Sequence, residues 1–343
     1  QPMSYQTPAE NDVLRKVDSG LELAVRDRNL SWSDENDTKR QKYTYLAVRA
    51  FTNNIEVPVT YSWFKYGASL VAAPPAQDSL SSGYTLRTES VTDTDLWRYG
   101  PQEFAYFFKN DLDHLPLDEY WDAHNLEFLE EFYTHYAPEE YRELYLANIH
   151  LRQRLESTLS QIQDTVQSES ISEYERIGRI LSRMEIELAA QVVFEPVQGG
   201  FEDFEALTED VFMMLQQRDI VDLGTDELEV VTGILSLYRN HVWDIISHII
   251  SNQTATGPNS DTVRSWWDDD DRRGDLRRLE EKIDELREQA DDVGLVPKFT
   301  DHPVHQDELD ETIETVERGV DELLGESEED EIEAVLEELS ESE

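Results

Sequence analysis

The sequence predicts a mainly α-helical protein, in which a helical bundle follows a small N-terminal α+β element and precedes amphipathic, coiled-coil-like helices. Three observations predict this fold class. Apolar residues recur three or four positions apart over most of residues 101–251, which is the spacing of one helix face. Near residue 60 they alternate with polar or small residues instead, as in a strand. Hydrophobic residues make up 38% of the 343 residues, which suffices for a buried core.

Residues 1–100 are the predicted α+β portion. Two helices are expected, the first beginning near Pro8 and the second over about 40–53. A loop over 68–83 and a short second strand over 84–91 follow the main strand. Pro58 indicates that this main strand is an edge strand or contains a bulge. Its apolar residues occupy every second position: Ile55, Val57, Val59, Tyr61 and Trp63.

Residues 101–251 are the predicted helical bundle. One helix is expected over 117–136, on the spacing of its aromatic and leucine residues. A break is expected at Gly199–Gly200, because consecutive glycines cost helix stability. The last core helix is predicted to begin at Thr225, with acidic residues in its first turn, and its apolar stripe continues to Ile249.

Residues 252–262 are a predicted linker, and residues 263–343 are predicted to be acidic C-terminal helices that are partly flexible. Two short apolar stripes run along these helices with heptad-like spacing. Helices this short are marginal alone, so we expect the stripes to dock on a partner or on the bundle, or to fray. They are the candidate interaction residues: Leu276, Leu279, Ile283, Leu286, Leu309, Ile313, Val316 and Val320.

The charge of the chain predicts adaptation to concentrated salt. There are 29 Lys and Arg against 76 Asp and Glu, a formal net charge of −47. At about 1 M salt the Debye length falls to about 3 Å, so repulsion between surface carboxylates is screened. This composition resembles that of cytoplasmic proteins of extremely halophilic archaea. We therefore expect most carboxylates to face solvent without specific chemistry, and we expect no nucleic acid as partner.

The composition also excludes several classes of protein. There is no cysteine, which excludes disulfide frameworks and thiol nucleophiles. No apolar run approaches the roughly 18 residues of a membrane-spanning helix, and no cationic region precedes an apolar stretch near the start. We therefore expect a cytoplasmic protein without a membrane segment. Because glycine-rich nucleotide-binding motifs are missing, we predict no cofactor.

Glu131 and His135 are the candidate metal ligands. They stand four positions apart, so a helix would present both on one face. Carboxylate and histidine side chains on bundle helices can hold metal ions. The pair is not repeated elsewhere, so a surface histidine beside a carboxylate is the alternative interpretation. Nucleophile and metalloprotease motifs are missing, so the motifs provide no positive case for an enzyme and the question stays open.

The one basic cluster lies beside Trp266 and Trp267. Arginines and indoles together would suit a single-stranded nucleic acid. However, the four aspartates at 268–271 lie within a helical turn of these arginines, which favours a self-neutralised helix start. The basic residues are Arg264, Arg272, Arg273, Arg277 and Arg278.

A local resemblance to a known family lies within residues 42–67. Lys42–Phe51 is a hydrophobic helical segment, and Val59–Gly67 is an aromatic strand segment that ends in Tyr-Gly. This pattern resembles the SocA-like antitoxin domain, also called Panacea. Ala68 stands where that family usually has proline after the glycine. The resemblance implies regulation through protein contacts rather than catalysis.

Together these features favour a non-enzymatic regulatory or protein-interaction protein of an extreme halophile, acting through helical surfaces on a protein partner or a second copy. One alternative is a helical-bundle metalloenzyme that uses Glu131 and His135. Another is a DNA-associated regulator with a winged-helix-like reader over 40–98, whose positive face would contain Arg49, Lys65, Arg87 and Arg98.

Overall fold

The computed structural model describes residues 8–32, 36–51, 59–70, 99–163, 174–217, 224–265 and 267–297. Within these ranges the protein is mainly helical and has a small two-stranded antiparallel sheet near its N-terminus, as predicted. None of the helices described is long and apolar enough to cross a membrane. The strands are β1 (Tyr61–Phe64) and β2 (Gly67–Leu70), and the helices are α1 (Pro8–Asp27), α2 (Asp37–Phe51), α3 (Pro101–Asn110), α4 (Leu117–Tyr120), α5 (Asn125–Tyr136), α6 (Arg142–Gln163), α7 (Tyr174–Ala189), α8 (Glu195–Gln216), α9 (Thr225–Leu237), α10 (Trp243–Thr254), α11 (Ser260–Arg264) and α12 (Asp269–Asp292).

The first helix packs chiefly on α3, and a glycine permits the close approach. Val13, Val17 and Leu21 lie on the packed face of α1 and are at most 1% exposed. A Cβ on Gly20 would lie 2.5 Å from the Cβ of Phe104, so any side chain there would push the two helices apart.

The two strands form a hairpin that seats aromatic residues on the bundle. Phe64 pairs with Gly67, whose φ of +82° favours glycine. The Trp63 ring stacks on the Phe132 ring of α5 at a centroid distance of 5.5 Å. The predicted loop over 68–83 is wrong at its start, because β2 extends to Leu70. The tight turn between the two segments lets them pair although the side chains of β2 are small. The predicted strand over 84–91 lies outside the described residues.

The predicted linker after α10 is fastened to β1 and to α1. Tyr61 and Thr256 exchange two backbone hydrogen bonds of 3.1 and 3.0 Å. The buried carboxylate of Glu10 accepts hydrogen bonds from the backbone N–H and the hydroxyl of Thr60, at 2.7 and 2.6 Å, and from the amide of Asn259 at 2.9 Å. These bonds hold three segments that are distant in sequence against one another.

The described residues up to Val296 belong to one compact unit. Contacts cross the predicted boundary at residue 100, since α1 packs on α3 and β1 packs on α10. They also cross the predicted linker over 252–262, since α12 packs on α8 and α9. The N-terminal α+β portion and the helical bundle therefore share a single hydrophobic core.

The helix α8 runs without interruption through Gly199–Gly200, so the predicted break at this pair is wrong. A Cβ on Gly200 would lie 2.9 Å from Cδ2 of Leu279 in α12, whereas nothing lies within 4 Å of a Cβ on Gly199. Gly200 therefore serves the packing of α12 on α8 and does not end the helix.

Two other bundle predictions are refined. The segment 117–136 forms α4 and α5, and the His124 Nδ1 between them accepts a hydrogen bond of 3.4 Å from the Leu126 N–H at the start of α5. The last core helix begins at Thr225 as predicted, and a π-helical turn over Tyr238–Val242 joins α9 to α10. The Tyr238 hydroxyl donates a buried hydrogen bond of 3.0 Å to Oδ1 of Asn148 in α6.

Candidate functional site

Three metal-type side chains meet where the α3–α4 connection lies against α5. Glu131 and His135 stand one turn apart on α5, as their spacing predicts. His114 comes from the segment between α3 and α4 and joins them from a separate part of the chain. One possible ligand atom from each of these three residues lies within 4.8 Å of the others. We call this group the His–Glu–His cluster.

The cluster is already linked internally. The His135 Nε2 lies 2.8 Å from Oε1 of Glu131, which is a hydrogen-bonding distance. The rings of His114 and His135 are stacked, with a centroid distance of 3.8 Å and an interplanar angle of 3°. Both histidines are exposed to solvent, and Glu131 is half-buried.

Only modest movement would convert this arrangement into a metal site. Zinc–nitrogen and zinc–oxygen bonds of about 2.0–2.1 Å at tetrahedral angles place neighbouring ligand atoms about 3.3 Å apart. The ion would take the place of the proton between His135 and Glu131, and the separation of those atoms would grow by about half an ångström. The nitrogen lone pairs of an imidazole lie in the plane of its ring, so two stacked rings cannot both direct a lone pair at one ion. The exposed His114 ring would therefore have to turn toward the ion.

The surroundings of the cluster combine an aromatic support with a favourable helix end. The Tyr136 ring lies 6.3 Å from the ring of His114 and 6.3 Å from that of His135. Burial and the nearby Asp113 carboxylate raise the pKa of Tyr136, while the Arg49 guanidinium opposes this rise. His135 lies in the last turn of α5, where the helix dipole favours positive charge. A cation at the cluster would therefore gain from the helix as well as from Glu131.

An open cleft of about 540 Å³ adjoins the cluster and shares His135 with it. Its volume is in the range of small-molecule sites. The walls come from α2, β1, the α5–α6 connection and the segment after α10. Its polar lining residues are two arginines, three tyrosines, two threonines, one histidine and one glutamate: Tyr45, Arg49, Tyr61, His135, Tyr136, Glu139, Arg142, Thr254 and Thr256.

Two lysines of α2 point into the core, away from this site. The Lys39 Nζ donates to the backbone carbonyls of Trp121 and Ala123 at 2.7 and 2.5 Å. The Lys42 Nζ donates to the carbonyl of Ala68 at 2.7 Å, and burial lowers the pKa of Lys42 to about 7. Both side chains are at most 2% exposed, so their contacts describe a structural role.

The first apolar stripe of the candidate interaction residues packs on the protein's own bundle. Leu279, Ile283 and Leu286 are at most 6% exposed, and Leu276 is partly buried against the same core. Their helix α12 contacts α8 and α9. The second stripe lies outside the described residues: Leu309, Ile313, Val316 and Val320.

Each of the five arginines of the basic cluster has an acidic or aromatic neighbour. Arg264 and Arg278 form ion pairs of 3.0 and 3.1 Å with Asp261 and Asp275. Arg273 pairs with Asp270, Arg277 lies 3.7 Å from Glu281, and the Arg272 guanidinium lies 5.9 Å from the centre of the Trp267 ring. These contacts agree with a self-neutralised helix start.

The positive face of the DNA-binding alternative is only half described. Lys65 pairs with Asp244 at 3.1 Å, and the Arg49 Nη1 donates to the Tyr45 hydroxyl at 3.3 Å. Arg87 and Arg98 lie outside the described residues. The two described cations therefore do not form a free positive surface.

Sequence reasoning found Glu131 and His135 but missed His114. Their spacing of four is a local signal, because a helix brings such residues together by its own geometry. His114 is separated from Glu131 by the whole of α4 and the start of α5, so only tertiary packing brings it near. The available signal was a histidine in the short segment before the predicted helix over 117–136, which contains the pair.

Comparison with known proteins gives one family. The family model described as "Domain of unknown function (DUF8098)" matches residues 3–319. No curated protein and no solved structure gives a significant match to the chain.

Proposed function

We propose that this chain, which belongs to the DUF8098 family, is a metal-dependent protein that holds a divalent transition-metal ion on His114, Glu131 and His135. The observation that carries the proposal is the arrival of His114, from a separate segment, at the pair already formed by Glu131 and His135. An isolated histidine–carboxylate pair is common on a surface, whereas a third ligand from another segment allows an ion to be enclosed.

The donor set supports an open metal centre. Two histidines and one carboxylate are the ligands of catalytic zinc sites of the thermolysin type and of non-haem iron sites. Three protein ligands leave one or more coordination positions for water or substrate. Because His135 also lines the cleft, these positions would face a space in which a small molecule can bind. An ion there would polarise a bound oxygen or lower the pKa of a bound water.

The same donor set does not favour magnesium or calcium. Those ions prefer an all-oxygen environment of six or more ligands, whereas two of the three donors here are imidazoles. Zinc, cobalt, nickel and iron accept imidazole readily. The reaction class is therefore a metal-assisted one, with zinc-dependent hydrolysis as its simplest form.

The proposal also includes an environment of concentrated salt in the cytoplasm of an extreme halophile. Its support is the distribution of charge in the described residues, where Glu10 is the one carboxylate among the buried polar residues. The remaining described carboxylates lie at partly or fully exposed positions, as expected of a coat that is tolerated because salt screens it.

Contact with a protein partner or a second copy of the chain stays a prediction, and it now concerns only the second apolar stripe of the C-terminal segment. Since Leu279, Ile283 and Leu286 are used inside the chain, Leu309, Ile313, Val316 and Val320 are the candidate residues that remain. Light scattering after size-exclusion chromatography in molar KCl tests this: replacing the four by serine is expected to lower the molar mass of an assembly, and an unchanged assembly would exclude the stripe.

The metal proposal is tested by titration after chelator treatment, in molar KCl with excess magnesium to occupy non-specific carboxylates. We expect one tightly bound zinc or cobalt ion per chain, lost in His114→Ala and in His135→Ala. The matched control is His150→Ala, since His150 lies 3.1 Å from Glu130 and this pair has no third metal-type side chain within the described part of the chain. Absence of stoichiometric binding, or equal loss in the control, would refute the proposal.

A further inference from the structure

The imidazole ring of His248 in α10 lies between two aromatic rings from distant parts of the chain. Its centroid is 4.7 Å from that of the Phe64 ring at the end of β1, with an interplanar angle of 60°. On the other partner, Trp267, it is stacked at 5.2 Å and 12°. Trp267 lies between α11 and α12. We call Phe64, His248 and Trp267 the aromatic latch, because they join β1 and the start of α12 to α10.

Both aromatic partners of His248 are fixed by hydrogen bonds. Trp267 is 6% exposed, and its Nε1 donates to Oδ2 of Asp275 in α12 at 2.9 Å. The backbone carbonyl of Phe64 accepts a hydrogen bond of 3.0 Å from the Tyr145 hydroxyl. The His248 side chain itself is 23% exposed. A neutral imidazole in this position packs as an aromatic ring among aromatic rings.

Within the described residues, four charged groups act on the His248 ring. The Oδ2 of Asp244, one turn earlier on α10, lies 3.9 Å from its Nε2, and the Oδ1 of Asp244 pairs with the Lys65 Nζ at 3.1 Å. Asp275 and Asp271 approach from α12. Burial lowers the pKa of His248, and the Lys65 charge adds to this effect, while the three carboxylates oppose it only in part. The protonated ring is therefore disfavoured in the latch.

We infer that the aromatic latch is a pH-sensitive device: the start of α12 is held on α10 while His248 is neutral and is released when His248 is protonated. The physical basis is linkage, because a base that binds its proton more weakly in the closed state favours the open state as the pH falls. For one proton, the ratio of open to closed molecules changes by up to about tenfold per pH unit. The change begins near the ordinary histidine pKa of 6.5.

The release would affect a surface that the chain now covers. The helix α12 packs on α8 and α9, so a loosened start makes this covered surface more accessible at low pH. The inference is independent of the metal proposal, because the latch shares no residue with the His–Glu–His cluster or with the cleft. Either one can fail without the other.

Hydrogen–deuterium exchange of the whole chain in molar KCl tests the inference, read by mass spectrometry on peptides that cover residues 267–275. Rates at pH 7.5 and 5.5 are corrected for the intrinsic pH dependence of exchange. We expect the corrected exchange of the wild type to be about three- to tenfold faster at pH 5.5. We expect no such change in His248→Phe, which keeps an aromatic ring that cannot be protonated. Circular dichroism of each variant establishes that it is folded.

Two further variants separate His248 from the other titrating groups. His241→Phe is the matched control, since it removes a histidine two turns earlier that is not part of the latch, and it is expected to keep the response. Lys65→Met is a second, independent test: it is expected to weaken the response, because Asp244 is then released to stabilise the protonated ring. Equal acceleration in His248→Phe, loss of the response in His241→Phe, or a stronger response in Lys65→Met would overturn the inference.

Discussion

The ammonium group of Lys42 is buried beneath the β-hairpin, where its Nζ donates a hydrogen bond of 2.7 Å to the backbone carbonyl of Ala68. Lys42 as a whole is only 1% exposed to solvent. Burial lowers the pKa of Lys42 to about 7, from the ordinary value of 10.5. The charged form of this lysine therefore costs folding free energy at neutral pH, although its hydrogen bond joins α2 to β2.

This lysine predicts that stability increases with pH from about 7 upward. Between the folded and unfolded pKa values the unfolded chain binds more protons, so the free energy of unfolding rises by as much as about 1.4 kcal/mol per pH unit. Between pH 7.5 and 9.5 we expect the free energy of unfolding of the wild type to rise by about 2 kcal/mol more than that of Lys42→Met. Buried tyrosines with raised pKa values, such as Tyr141 at about 12, oppose this rise as the pH approaches 10, but they do so equally in the wild type and in Lys42→Met. Urea unfolding across this range measures the effect, with Lys282→Met as a control for the loss of a lysine; parallel curves for wild type and Lys42→Met would contradict it.

A second prediction concerns the two adjacent glycines of α8. Gly200→Ala is expected to destabilise the fold by about 1–3 kcal/mol, because its Cβ would meet Leu279 and force α12 outward. Gly199→Ala is the matched control and is expected to stabilise by about 0.5–1 kcal/mol, since alanine favours the helix and the space around it is empty. Thermal unfolding in fixed KCl compares the two variants. Equal effects of both substitutions would show that Gly200 is not a packing contact.

A third prediction separates packing inside the chain from contact with a partner. Leu279→Ala is expected to cost about 2–5 kcal/mol of stability, because Leu279 is fully buried between α12 and α8. The partly buried Leu276→Ala is expected to cost less. Neither change is expected to alter the molar mass measured by light scattering. A dissociated assembly with unchanged chain stability would instead assign this stripe to a partner interface.

A fourth prediction follows from the net charge of −47. Unfolding temperature is expected to rise steeply between about 0.1 and 1 M KCl, as the Debye length falls from about 10 to about 3 Å. Sucrose at matched osmolarity is the control, because it strengthens burial without screening charge. A protein equally stable at both salt concentrations would contradict salt adaptation as the reason for the acidic surface.

The sequence was sufficient for the helices because their signal is local. The stripe from Thr225 to Ile249 and the pair Glu131–His135 follow from helical periodicity alone. The pair is found as predicted, and the stripe lies on α9 and α10 with a π-helical turn between them. The small sheet was predicted in type, although its second strand is Gly67–Leu70. There a tight glycine turn outweighs the weak strand preference of the small residues that follow.

The remaining features depend on which segments meet. From sequence alone Gly200 resembles a helix breaker, whereas the structure shows that it makes room for Leu279. In the same way the apolar stripe on α12 resembles a partner interface, whereas in the structure α8 and α9 cover it. His114 carries no spacing signal toward Glu131, since α4 and a capped connection intervene. Such residues are determined by tertiary packing, which a single sequence does not display.

X-ray absorption at the zinc edge of protein loaded with one equivalent of zinc tests the metal centre most directly. We expect four or five light-atom ligands at about 2.0–2.1 Å, with the multiple scattering of two imidazoles, and with one imidazole fewer in His114→Ala. A shell of oxygen ligands without imidazole scattering, or a spectrum unchanged in His114→Ala, would show that the ion binds surface carboxylates and that the His–Glu–His cluster is not a metal site.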